Sequence, residues 1–271
     1  MLTLRLSVSG FATAISAIYL ASVPAHSADI SLDERLDALV RAFPSANITR
    51  SGNTLRVAGR TITIDDAGQK SHQAKLKSAD IEDMLSQIYP LGACAVGKPT
   101  RNEDPGRIRN EILLRAIFGN SRAEVRKSLV EISWFGGRIP VTGKAGVDKA
   151  LIRVRDDLAK LPRRFRKYFV RTGGVFNWRP IAGTKRLSVH SFGAAIDINT
   201  KYTDYWRWAG GKPGNVPRYR NKVPLEIVRI FERHGFIWGG KWYHFDTMHF
   251  EYRPDLIAIG RLAERRGCPK T

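Results

Sequence analysis

Two short segments constrain this chain more than any other feature: Ser188-Val189-His190-Ser191-Phe192-Gly193-Ala194-Ala195-Ile196-Asp197 and Phe245-Asp246-Thr247-Met248-His249-Phe250-Glu251. Each alternates apolar and polar residues with the two-residue period of a strand, leaving one face for a core and one for chemistry. In the first, Ala194, Ile196 and Ile198 face inward while Ala195, Asp197 and Asn199 face the other way. Gly193 breaks any helix and lets the chain fold back, bringing His190 towards Asp197. In the second, Met248, Phe250 and Tyr252 make the apolar face, His249 and Glu251 the other, and Asp246 sits just ahead of the strand. A fold that sets the segments side by side gathers His190, Asp197 and His249. Two imidazoles and a carboxylate form a zinc-type donor set with a fourth position open for water. Asp246 is then close enough to reach that water without being a ligand.

Neighbouring residues carry open alternatives. Glu251 shares a face with His249 and is either its orienting partner or a surface carboxylate. His244 is the rival metal ligand; its spacing from His249 puts it on the opposite strand face unless the chain bends at Asp246. Ala195 is small enough to leave room for an ion. Tyr202, Trp206, Trp208, Trp238, Trp242 and Tyr243 read as packing and groove wall, and His234 as a structural or surface residue near a helix end. Other chemistries are excluded by what is missing: a His-Glu-x-x-His helix motif, a Gly-x-Ser-x-Gly elbow and a reactive cysteine setting. Gly137 to Lys144 fails as a phosphate loop, because it has five residues between its glycines and Ala145 where Ser or Thr must meet magnesium.

The N-terminus reads as a targeting segment. Arg5 is the only charge before Asp29, Leu6 to Val23 is mostly apolar and small, and the exit after Ala25 or Ser27 suits cleavage. Residues 1–27 are therefore set aside as a signal peptide, an uncleaved membrane anchor being the rival reading; cleavage implies export to the periplasm or cell envelope, or secretion, with no stable membrane span left. In an oxidising compartment Cys94 and Cys268 favour one disulfide tying the tail to the body, two separate buried thiols being the alternative. The formal charge of +20 draws polyanions. For an exported chain these are anionic envelope polymers or acidic peptides rather than nucleic acid. The Arg163-Arg164-Phe165-Arg166-Lys167-Tyr168 run reads as a solvated helix end with its aromatics turned inward, not as a base-stacking platform.

The remainder reads as α+β: a small antiparallel sheet with flanking helices carrying the zinc site, preceded by a small helix-hairpin module over 28–90. Ser31 and Glu34 form a capping box ahead of a helix through Phe43. Leu55–Val57 and Ile62–Ile64 pair around Ala58-Gly59-Arg60, and a helix with Ile81, Leu85 and Ile88 stops near Pro90. His72 reads as a solvated surface histidine. Residues 91–105, rich in Gly, Pro and charge, read as a linker, and 106–271 as the zinc domain with its tail. Within it, helices are expected over 107–118, 145–161 and 223–234, and strand pairing from Val130 to Val141 around Gly136-Gly137.

Ser-x-His-x-x-Gly-x-Ala-x-Asp followed by Asp-x-x-His resembles the zinc peptidases that group D-Ala-D-Ala dipeptidases and carboxypeptidases with L-alanyl-D-glutamate endolysins. These sit in a wider superfamily with lysostaphin-type enzymes and the hedgehog signalling domain. The resemblance covers roughly 125–256 and nothing in 29–90. It implies zinc held by His190, Asp197 and His249, Asp246 as the base, and peptidoglycan stem peptides as substrate. The Asp at 246, where dipeptidase-like members carry Glu, leans towards the endolysin type. Family members stabilise the oxyanion with an arginine upstream of the first histidine; Arg179 resembles that position and Arg186 is the second choice. Ser188 binds substrate or braces the loop. The competing reading is a catalytically silent wall- or partner-binding domain of the same fold, which has no need of a base.

Overall fold

The computed structural model describes residues 29–181 and 183–268; the signal-peptide expectation for 1–27 falls outside the described residues. Helix α1 (Leu32–Ala42) opens on the expected capping box, with Ser31 accepting the Glu34 amide and Glu34 accepting the Ser31 amide. Strands β1 (Thr49–Ser51), β2 (Thr54–Val57) and β3 (Arg60–Thr63) form an antiparallel sheet. The tight turn between β2 and β3 is Ala58-Gly59 alone, both with positive φ, and Arg60 already belongs to β3. Two short helices follow, α2 (His72–Lys77) and α3 (Ile81–Leu85), so the helix expected to reach Pro90 ends early.

Helix α4 (Glu111–Phe118) starts later than its apolar spacing suggests because Asn110 caps it through the Leu113 amide. Helix α5 (Arg122–Lys127) leads into the hairpin of β4 (Leu129–Trp134) and β5 (Gly137–Thr142), then into α6 (Val147–Ala159). The second half builds the sheet that matters: β6 (Ala195–Asp197), then α7 (Leu225–Arg233), β7 (Phe236–Trp238), β8 (His249–Tyr252) and finally α8 (Pro254–Arg265). The chain is thus α+β, with helices around small antiparallel sheets.

In that sheet β8 is central, flanked by β6 and β7, both antiparallel to it. Its register pairs Asp197 with His249, Ile196 with Phe250 and Ala195 with Glu251. Directly opposed residues point to one face. The Ile196–Phe250 row faces the core, where Phe250 stacks on Phe231 of α7 at 3.9 Å between ring centroids. The Asp197–His249 row faces the other way, into the site. Apolar packing runs without a break from Ile30 to Ala263, and α1 lies against α8. Cys94 and Cys268 are bonded, as export would favour, closing a loop of 174 residues. In the chain-entropy picture such a loop constrains the unfolded chain by up to about 5 kcal/mol. Among the described residues no helix is long and apolar enough to cross a membrane.

Candidate metal centre

His190 reaches the site from a 3-10 turn over Val189–Phe192 that ends at Gly193 with φ +65°. A side chain at 193 would be strained by that φ, and its Cβ would also lie 2.8 Å from Leu129 Cδ2 and 3.0 Å from the Thr142 amide. The glycine therefore fixes both the turn and its seat on the β4–β5 hairpin. Ser188 caps the turn, its Oγ accepting the His190 amide at 3.4 Å. Ser188 is itself buried. Ser191, unnoticed in the sequence, stitches the turn to the preceding strand-like stretch by accepting the Arg179 amide and donating to the Arg179 carbonyl, each at 3.0 Å.

Three donor atoms meet. His190 Nε2 lies 3.1 Å from Asp197 Oδ1 and 3.2 Å from His249 Nδ1, and His249 Nδ1 lies 3.1 Å from the same Asp197 oxygen. Such separations are close to the edge, about 3.3 Å, of a tetrahedron with zinc bonds of about 2.0–2.1 Å. The outer nitrogens decide what the inner ones can do. His190 Nδ1–H donates to the Val175 carbonyl at 2.8 Å, and His249 Nε2–H donates to Glu251 Oε2 at 2.9 Å. Each imidazole therefore has its inward nitrogen left to hold either a proton or a metal. Two lone pairs and a carboxylate oxygen facing one another repel unless a proton or cation sits among them. The donor set fits a divalent ion.

Burial alone would favour neutral His249, but its hydrogen bonds with Asp197 and Glu251 outweigh that and push it up to about 10, so a proton takes the inward Nδ1 position that a cation would otherwise fill. Asp197 would likewise rise on burial, and the two histidines hold it far below the carboxylate range instead. Glu251 is held down to about 2 against its burial by the Arg109 guanidinium and by His249. Arg109 grips Glu251 through Nε at 3.2 Å and also through Nη2, with its guanidinium 5.7 Å from the Trp242 ring centroid. Glu251 is thus the orienting partner, not a surface carboxylate. In the sheet it stands opposite Ala195.

Asp246 behaves differently. Its Oδ1 is buried and makes no hydrogen bond. Burial, and then the charge of Asp197, push it up to about 6. Its backbone pairs with Tyr205, whose ring meets the exposed Trp208 edge-on at 5.7 Å. Of the six aromatics read as packing or groove wall, Trp206, Trp238 and Trp242 are buried, while Trp208 is exposed.

A second group of the same composition, His72, Asp104 and His244, also has donors close enough for an ion. Its outer bonds tell against one. His244 Nε2 accepts the Gly214 amide at 3.3 Å, so the proton is on Nδ1, which donates to Asp104 Oδ2 at 2.7 Å. A metal on Nδ1 would force Nε2–H against Gly214 N–H. The cluster is a hydrogen-bonded carboxylate. His244 is accordingly held away from the His190 centre, and His72, bonded to buried Asp104 at 2.9 Å, is not the solvated histidine its polar flanks suggest. His234 is structural, at 2.9 Å from Asp157 Oδ2. The acidic groups around Asp80 and Asp83 are satisfied by Lys70 and Lys75.

The two candidate arginines part company. Arg179 is exposed, whereas Arg186 reaches the Arg109 carbonyl through Nη1 at 3.4 Å and keeps a buried Nε without a partner. Burial, then Arg109 and Arg107, bring Arg186 down to about 10.

A buried pair of imidazoles with a carboxylate, beside a second carboxylate with an unsatisfied oxygen, is a group that could hold a metal ion. Residues 182–252 match the family model described as D-alanyl-D-alanine carboxypeptidase, and the match spans both motifs, supporting the zinc peptidase family that they resemble. No curated protein and no solved structure matches the chain.

Proposed function

We infer that the chain is an exported zinc peptidase that hydrolyses peptide bonds of peptidoglycan stem peptides, of the D-Ala-D-Ala carboxypeptidase or L-Ala-D-Glu endopeptidase type. The family match supports a peptidase acting on peptidoglycan. The observation that carries the finer reading is the inward-facing nitrogen of each of His190 and His249 around Asp197, their outer nitrogens being engaged, beside the unsatisfied Oδ1 of Asp246.

His190, Asp197 and His249 would hold the ion. When bound, zinc supplies a Lewis acid that makes water acidic enough to react near neutral pH. Asp246, with an oxygen that no protein group satisfies, takes the proton from the attacking water and returns it to the leaving amine. Arg186, with its free Nε, is the better placed of the two arginines to meet developing negative charge; the exposed Arg179 is the alternative. Glu251 and Arg109 hold His249 in its metal-binding tautomer. Asp197 is the most open of the three, its side chain 19 % exposed, so substrate would approach from its side. The disulfide suits an oxidising envelope, and the basic surface suits a substrate rich in free carboxylates.

The test is digestion of muropeptides followed by mass spectrometry, with and without chelator. One bond should be cut, cleavage should stop on chelation, and Asp246→Asn should lower the rate by about 10²–10⁴ while retaining zinc. Intact stem peptides after incubation with zinc-loaded protein would leave only the silent binding domain.

A further inference from the structure

Nothing in the described contacts of the Asp246 carboxylate explains how it is aimed: its Oδ1 makes no hydrogen bond. Its direction depends on the backbone that carries it, and that backbone is clamped from the far side. Asp104 Oδ1 accepts the His244 amide at 3.0 Å and Oδ2 accepts His244 Nδ1–H at 2.7 Å, so one carboxylate grips both the main chain and the side chain of a single residue. The neighbouring backbone repeats the grip. Tyr243 N–H donates to the Glu103 carbonyl and Trp242 Nε1–H to the Pro105 carbonyl, each at 2.6 Å. Asp104 is fully buried and anchored in turn by His72 of α2 at 2.9 Å and by Gln87, which accepts its amide at 2.8 Å. Beyond the clamp, Asp246 N–H is tied to the Gly239 carbonyl at 2.9 Å.

Resting on the proposed function, we propose that Asp104 is a positioning residue for Asp246: it fixes the 242–244 segment through His244, with His72 as its anchor, and so makes the 72–105 stretch part of the hydrolytic site. Every proton donor in this cluster has a place only while Asp104 is a carboxylate. Asp104→Asn puts an amide N–H₂ against donors and loosens the clamp without touching His190, Asp197 or His249. His72→Ala removes one outer anchor and is the milder companion should Asp104→Asn fold poorly.

The experiment uses the full zinc-loaded chain and reads amide hydrogen exchange alongside steady-state kinetics on a stem peptide. In Asp104→Asn the amides of 242–246 should exchange at least about tenfold faster, with β6 and β8 protected as before and one zinc retained. The kcat should fall about tenfold or more at nearly constant KM, with a smaller change of the same kind in His72→Ala. Combined with Asp246→Asn, Asp104→Asn should add less than about twofold, because both act through one group. Unchanged exchange over 242–246, or losses that multiply in the double variant, overturns the assignment. An inactive wild type with the exchange result intact would sink the peptidase reading and leave the clamp standing.

Discussion

Glu251 and Asp246 are near neighbours in sequence and both lie beside His249, yet their surroundings drive them apart. Burial would raise Glu251, but Arg109 and His249 bring it down to about 2; burial and Asp197 leave Asp246 at about 6. A carboxylate kept charged orients an imidazole, and one kept basic near neutrality carries protons. Glu251→Gln should therefore retain the fold and weaken zinc binding by about 10–100-fold, read by competition with a chromogenic chelator; unchanged affinity would remove Glu251 from the site. At this scale His190, Asp197, Asp246 and His249 are legible because each motif sits in one short stretch. Arg109 and Asp104 are not, since their partners lie about 140 positions away and no local pattern announces a bond across that distance.

At the scale of elements, the site is a consequence of strand register. Asp197 faces His249 because Ile196 faces Phe250, and that second pair is locked by Phe231 beneath it. A slip of one residue in either strand would send its own residue, Asp197 or His249, to the opposite face and part the pair. Phe250→Ala should thus cost about 3–5 kcal/mol in a denaturant midpoint series. It should also lower zinc affinity although Phe250 touches no ion; a stability loss with unchanged zinc binding would uncouple core from site. The alternation in 194–199 and 248–252 predicts these two strands. It does not give β7, whose three residues, Phe236 to Trp238, are all buried and so show no alternation. The short α2 has no apolar stripe to read and no buried residue. Helix α8 does carry signals in its sequence, a leading Pro254 and apolar residues at helical spacing.

At the scale of the whole molecule, the stretch read as a linker ends inside the protein. Gly, Pro and charge are what a linker shows, but Asp104 at its end is buried because His72, Arg107 and His244 together repay its desolvation. Composition reports what a segment contains and not what closes over it. Burial would raise Asp104; the hydrogen bonds of His244 and His72 outweigh this and hold it well below its ordinary 3.8. The sign follows directly. A carboxyl lowered by folding contributes stability fully above its unfolded value, and loses it as pH falls below about 4 towards the folded value. Stability of the wild type should therefore decline on acidification through that window, and Asp104→Asn should flatten the decline in urea titrations run from pH 6 to pH 3. Parallel curves for the two proteins would show that Asp104 is not the linked group. The disulfide and the packing of α1 on α8 bring both ends of the described chain together, and α8 in turn lies against β7 of the sheet that carries Asp197 and His249.

Zinc stoichiometry by metal analysis, in wild type, His190→Ala and His72→Ala, bears most directly on the centre itself, since two His₂Asp groups have donors close enough for an ion. One tightly held equivalent in wild type and in His72→Ala, and none in His190→Ala, is the expected result. Zinc retained by His190→Ala, or lost from His72→Ala alone, would place the ion in the other cluster and contradict the assignment of His190, Asp197 and His249.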